Sequence, residues 1–260
     1  MISNMYGSSR SNALDYYIGM AINFEKLVKI WKVGRINYAR GLKLQEQLSS
    51  CHNFSNDSNK NVLLCLEHFP VYTIGIRTKN YGYEEERKLK ETGADFFKTN
   101  RGGLITFHGP GQLVVYPILN LKHFKPSMRW YVCQIERTVI DLCSKFGLNA
   151  ETSTDTGVWI GNKKICAIGI HGSRFITTHG LAFNCNTDLA WFDNIVPCGL
   201  VGKGVTSLSK ELNRNISVDE VLPKFIDSFC SSFNCGAISI TEEEINNILD
   251  KLRLNKNTEV

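Results

Sequence analysis

The apolar run Leu113 to Leu119 has the length of a buried strand, and what precedes it narrows the fold further. Arg101 to Gln112 reads Arg-Gly-Gly-Leu-Ile-Thr-Phe-His-Gly-Pro-Gly-Gln. Its glycines let the backbone take positive φ and come close to a ligand, and Pro110 fixes a turn. The segment is expected to be a shaped loop feeding a core element. Because it holds Arg101 and His108, it reads as a binding surface. On this stretch alone a purely structural turn is an equally good reading.

A second informative region runs from Trp159 to Leu200. Trp159-Ile160 and Lys164 to Ile170 read as strands joined at Gly161-Asn162, a dipeptide suited to a tight hairpin. Lys164 then heads an apolar strand. Alternation would put Lys164 and Cys166 on one face, with Cys166 read as packing. Thr177 to Asn184 is another strand-like run, and Pro197-Cys198-Gly199 leaves a thiol between a residue without a donor and one without a side chain. A lone cysteine is more often a small buried apolar residue, a lone lysine a solvated one, and His108 and His179 structural histidines.

Taken together, these segments resemble the octanoyltransferases of lipoate biosynthesis, the lipoyl(octanoyl) transferase family, and most of all its animal, mitochondrial form. The resemblance rests on Arg101 to Gln112 with Tyr116-Pro117-Ile118, Lys164 with Ile168-Gly169, His179-Gly180-Leu181-Ala182, Pro197-Cys198-Gly199 and Gly204-Val205-Thr206-Ser207-Leu208. It spans about Val33 to Phe233. It implies an α/β (α+β) fold, the biotin/lipoate protein ligase-like catalytic domain, with a mixed sheet flanked by helices.

The resemblance also implies roles. Cys198 would carry the acyl group as a thioester, and Lys164 would lower the thiol pKa and move protons. Arg101, Gly102, Gly103, Leu104, Ile105, Thr106, Phe107 and His108 would line the acyl pocket with Ala167, Ile168, Gly169, Gly180, Leu181 and Ala182. No cofactor and no metal are implied. Octanoyl-acyl carrier protein would be the donor. The lipoyl domains of glycine cleavage H protein and of 2-oxoacid dehydrogenase E2 subunits would be the acceptors, in the mitochondrial matrix.

The residue types suit that chemistry independently. A thiolate is the nucleophile, and a nearby cation favours it. A lysine can act as a base near neutral pH only if its ordinary value of about 10.4 falls, as desolvation beside Ile165 and Ile168 would make it. The transfer needs no ATP, in keeping with a sequence that holds no Gly-x-x-x-x-Gly-Lys phosphate loop. Two other readings stay open: an ATP-dependent lipoate or biotin ligase on the same fold, which would not need Cys198, and a non-catalytic acyl-binding module, which would not need the Cys198–Lys164 pair.

Composition sets the remaining bounds. The 260 residues, 43% apolar, can build one core. Domain limits are expected at residues 1–30 for an N-terminal extension with a candidate transit segment, 31–235 for the catalytic domain and 236–260 for a C-terminal helical extension. No apolar run is long enough to cross a membrane as a helix. Nine cysteines without a Cys-x-x-Cys pair argue for reduced thiols and against a zinc site. A net charge of +5 suits the acidic partners that the resemblance implies and reads equally well as ordinary surface charge, and no basic block interleaved with aromatics points to nucleic acid.

Helices are expected over 37–48, over 130–146, where Val132, Ile135, Val139, Leu142 and Phe146 recur at helical spacing, and over about 218–233 and 242–252, which Ser217 with Glu220 and Thr241 with Glu244 open as capping boxes. Strands are expected over 62–66 and 71–76, and a charged, turn-rich and mobile surface segment over 81–92.

Overall fold

A computed structural model describes residues 26–52, 60–77, 82–195 and 203–254. Among them, nine strands form one mixed sheet. In spatial order its main path is β12 (Gly236–Ser239), β1 (Leu27–Ile36), β2 (Val62–His68), β6 (Gln112–Ile118), β10 (Ile176–Asn184), β9 (Lys163–Ser173), β8 (Val158–Ile160) and β7 (Glu151–Thr152). The ninth strand, β11 (Gly204–Val205), pairs with β9. A smaller sheet holds β4 (Asp95–Lys98), β3 (Val71–Ile74) and β5 (Ile105–His108).

Both faces of the large sheet are covered, so its central strands are largely apolar rather than alternating, and every residue of β6 is buried. Helices α3 (Met128–Ser144) and α5 (Val218–Phe233) pack on one face. That face carries Leu63, Leu113, Val115, Cys166, Leu181 and Phe183, which meet Tyr131, Ile135, Phe225 and Phe229. Helices α1 (Tyr38–Cys51) and α6 (Glu242–Leu254) cover part of the other face, over Trp31, Leu64 and Val114. The small sheet closes the rest. Its own apolar cluster joins Tyr72, Ile74, Ile105 and Phe107 to Phe192.

The helices begin where side chains cap them. Asn37, Ser127 and Ser217 accept from the third backbone N–H beyond themselves, at Arg40, Trp130 and Glu220. Thr241 and Glu244 make the reciprocal pair expected at the start of α6.

Two expectations are corrected, and one strand is added. The stretch 101–112 is only partly a loop, because Ile105–His108 forms strand β5 against β3. The charged residues 83–91 form helix α2 (Tyr83–Glu91), laced by Arg87 to Glu84 and Glu91 and by Lys90 to Glu86. Residues Leu27–Ile36, left without an assigned element, form β1. It pairs in parallel with β2 on one side and β12 on the other, so the chain's C-terminal strand closes the sheet beside its first.

Candidate active site

A cleft of about 440 Å³, open mouth included, lies between the large sheet and the β3–β5 sheet. Its floor is made by neighbouring strands. Ala182 pairs with Ala167 and Gly180 with Gly169, so the smallest side chains line one face of β9 and β10. Its roof is β5, where alternation sends Thr106 and His108 into the cleft and Ile105 and Phe107 into the apolar cluster behind. Arg101, Gly103, Leu104, Ile168 and Leu181 complete the expected lining. Gly102, Ile105 and Phe107, expected with them, do not line it. Tyr38, Tyr116 and His179 line it without having been expected to.

Lys164 lies in a smaller hollow that shares Thr106, Ala167 and Ala182 with this cleft and adds Gln112, Asn184, Phe192 and Val205. A break in strand pairing puts it there. Val158 pairs with Cys166 but Trp159 pairs with Lys164, so Ile165 is an extra residue on β9, a bulge. The bulge reverses the alternation. Cys166 joins the helical core on the far face while Lys164 shares the face of Ala167. The expectation that Lys164 and Cys166 face the same way is therefore corrected. Cys166 is fully buried, and its burial raises the thiol pKa well above the ordinary range.

Lys164 is 6% exposed. Its Nζ donates to the Thr156 carbonyl at 3.1 Å and stands 4.7 Å from the centre of the Trp159 ring. Gly157 leaves room for it, because a β-carbon there would come within 3.2 Å of Lys164 Cε and 2.7 Å of the Cys166 carbonyl oxygen. Cys198, with Pro197 and Gly199, lies outside the described residues.

The polar groups around the cleft form a directed chain. Arg101 Nη2 donates to Thr73 Oγ1 at 2.9 Å and to the Thr73 carbonyl at 2.7 Å. Thr73 Oγ1 lies 3.3 Å from His108 Nε2, and His108 Nδ1 lies 2.8 Å from Gln112 Oε1. Gln112 Nε2 donates to Asn184 Oδ1, and Asn184 Nδ2 to the Thr206 carbonyl. Thr206 N donates in turn to the Lys164 carbonyl. An amide oxygen can only accept, so the His108 proton sits on Nδ1 and Thr73 donates to Nε2. The chain polarises in one sense and ties the Arg101 loop to the Lys164 strand.

Three buried histidines at and beside the cleft, His68, His108 and His179, are uncharged at neutral pH. Burial pushes His68 and His179 down to about 4. Burial, then the neighbouring His68 and Arg101, holds His108 well below the usual range. Burial also raises Tyr38 to about 12 and Tyr116 well above its ordinary value. A cleft with so many titratable side chains thus carries little charge beyond Arg101, whose guanidinium is held by backbone carbonyls and Thr73. That makes it compatible with an apolar chain.

The lipoyl protein ligase A/B catalytic domain profile matches residues 37–230. The chain belongs to this family. It is 62% identical over 208 residues to the mitochondrial octanoyl-[acyl-carrier-protein]:protein N-octanoyltransferase of Danio rerio, covering 80% of this chain and 93% of that protein. It is 45% identical over 222 residues to the Homo sapiens protein of the same name, covering 82% and 96%. Among solved structures, a lipoate-protein ligase A bound with ATP shares the fold, with a TM-score of 0.69 at 17% identity over 85% of this chain and 92% of that one. The sheet and helices therefore have the lipoate/biotin ligase-like architecture that the sequence motifs implied.

Proposed function

We propose that this chain is a mitochondrial acyltransferase that moves an octanoyl group from octanoyl-acyl carrier protein to a lysine of a lipoyl domain. The names of the relatives in Danio rerio and Homo sapiens support the activity, the donor and the compartment. The observation that carries the mechanism is Lys164, a buried lysine in a hollow continuous with an apolar cleft floored by alanine and glycine.

The octanoyl chain lies along Ala167, Gly169, Gly180 and Ala182 under Thr106 and His108, with its carbonyl toward Lys164. In the first half-reaction the Cys198 thiolate attacks the donor thioester carbonyl, and the carrier's pantetheine thiolate leaves with a proton from Lys164. In the second, the acceptor lysine amine attacks the acyl-cysteine carbonyl. Lys164 takes the amine proton, the Cys198 thiolate leaves, and an amide remains. The acyl group is carried at constant oxidation state and no nucleotide is consumed. The acceptors are lipoyl domains of the H-protein and E2 type.

The test is transfer in the absence of nucleotide. With octanoyl-acyl carrier protein and a lipoyl domain, the acceptor should gain one octanoyl mass at the same rate with or without ATP. The Cys198→Ser protein should leave it unmodified. A reaction that requires ATP and free octanoate would make the chain a ligase.

A further inference from the structure

A second cleft, about 1170 Å³ with its open mouth, lies beyond the first. It is lined by α1 (Leu42, Gln45, Glu46), by Lys98 to Asn100, and by the far ends of β9 and β10 (His171, Thr178). Among the described residues, His179 is the one residue that lines both clefts. The boundary runs level across three segments. Asn100 faces the second cleft and Arg101 the first, His171 the second and Gly169 the first, Thr178 the second and Gly180 the first. On β9 and β10 that level is the His179–Ile170 pair, and the Arg101 loop is fastened to it by Gly102 N donating to the Ile170 carbonyl at 2.9 Å.

His179 is held in this place against its backbone preference. Its φ is +56°, a left-handed conformation in mid-strand. Its N–H donates to Gln45 Oε1 at 2.6 Å, and its ring Nε2 donates to Asn100 Oδ1 at 2.9 Å. The ring is 4% exposed, and its Nδ1 has no hydrogen-bond partner among the described residues. A strained residue with an unsatisfied buried nitrogen persists only where its surroundings over-determine it. Here the ring fills the gap between two cavities.

We infer that His179 is the end wall of the acyl cleft and sets the length of acyl chain that this enzyme accepts. The inference rests on the reading of the cleft as an acyl site. From Ala182, at the Lys164 end, to His179 is three strand residues, about 10 Å at roughly 3.3 Å per residue. That is the span of an extended eight-carbon chain. A longer chain meets the imidazole, and past the imidazole there is open volume. Removing the ring joins the two clefts.

The left-handed backbone supplies a clean variant. Glycine accepts φ near +56° without strain, so His179→Gly opens the wall while relieving the backbone. Asparagine also tolerates this region and keeps part of the volume, so His179→Asn is the partial opening. Initial rates are measured with octanoyl-, dodecanoyl- and hexadecanoyl-acyl carrier protein, together with thermal unfolding of each protein. The ratio of dodecanoyl to octanoyl kcat/KM should rise at least tenfold in His179→Gly and by less in His179→Asn. Octanoyl kcat should stay within about tenfold of the parent.

A purely structural histidine would lower all three rates together and leave the ratio unchanged, and that result overturns the inference. Failure of the parent protein to use octanoyl donor at all would instead overturn the acyl-site reading. If His179→Gly does not fold, an unchanged ratio in a folded His179→Asn protein decides against the wall.

Discussion

His68 and His179 titrate near pH 4 where a free imidazole titrates near 6.5, because each is buried. The sign follows directly. Between about pH 6.5 and 4 the unfolded chain takes up a proton at each site and the native protein does not, so stability falls as pH falls through that window. Each such histidine contributes a slope of about 1.4 kcal/mol per pH unit there. Urea midpoints should be level above pH 7 and drop steadily from pH 6.5 to 4.5. His68→Gln should flatten part of that slope; an unchanged slope would mean that His68 is accessible to protons in the folded state. Lys164 gives the second test at this scale. Lys164→Met keeps most of the stem but removes the charge and the proposed proton carrier, so acceptor octanoylation should fall by about 10²- to 10⁴-fold. Iodoacetamide alkylation of Cys198 should shift to higher pH. Lys164→Arg should restore the alkylation profile better than the transfer rate, because arginine keeps its proton.

At the scale of elements, the floor of the cleft is two strands whose facing residues are alanine or glycine, and it can be filled without straining the backbone. Ala182→Leu places a branched side chain where we propose the acyl chain lies. It should reduce octanoyl transfer at least tenfold while sparing a two-carbon acyl group; equal losses for both would place the chain elsewhere. The Arg101–Gly103 turn packs directly on Gly75, where a β-carbon would stand 2.4 Å from the Gly103 carbonyl oxygen and 2.6 Å from that of Arg101. Gly75→Ala must therefore push the turn away, raising KM for the octanoyl donor and lowering the unfolding temperature by several degrees. Much of this architecture was legible from pattern. Capping residues and 3.6-residue periodicity placed α3, α5 and α6, α1 was also expected, and apolar runs placed β2, β6 and β10. What was not legible has identifiable causes. Helix α2 buries only Leu89 and is held by surface ion pairs, so it shows almost no apolar face. Strand β1 interleaves Lys29, Lys32 and Arg35 with its buried residues, and those charges meet Glu244, Asp219 and Glu67 from elsewhere in the fold. The bulge at Ile165 is invisible to alternation, because it depends on how β8 and β9 align rather than on either strand's composition.

On the scale of the whole molecule, the first and last strands lie side by side, and α6 covers Trp31 and Leu64 with Ile245, Ile248, Leu249 and Leu252. Removing residues 241–260 would return that face to water. At about 1 kcal/mol for each partly buried apolar side chain, the loss is about 4 kcal/mol. The truncated protein should unfold well below the full chain and aggregate through the uncovered face; an unchanged melting temperature would mean that α6 is dispensable. Of the candidate site, the small residues, Arg101, His108 and Lys164 were recognisable as motifs. Tyr116 and His179 stand within quoted motifs but were not read as lining, and Tyr38 stands in none, since each reaches the cleft from a segment whose own pattern is that of an ordinary helix start or strand.

Intact-mass measurement of the full chain tests covalent passage of the acyl group through Cys198 with Lys164 as its partner. After incubation with octanoyl-acyl carrier protein, without ATP and without acceptor, the protein should gain one octanoyl group. Peptide mapping should place that group on Cys198, and hydroxylamine should remove it. Adding a lipoyl domain should discharge it onto the acceptor lysine. No adduct without ATP, or a stable adduct on another thiol such as Cys166, would contradict the account.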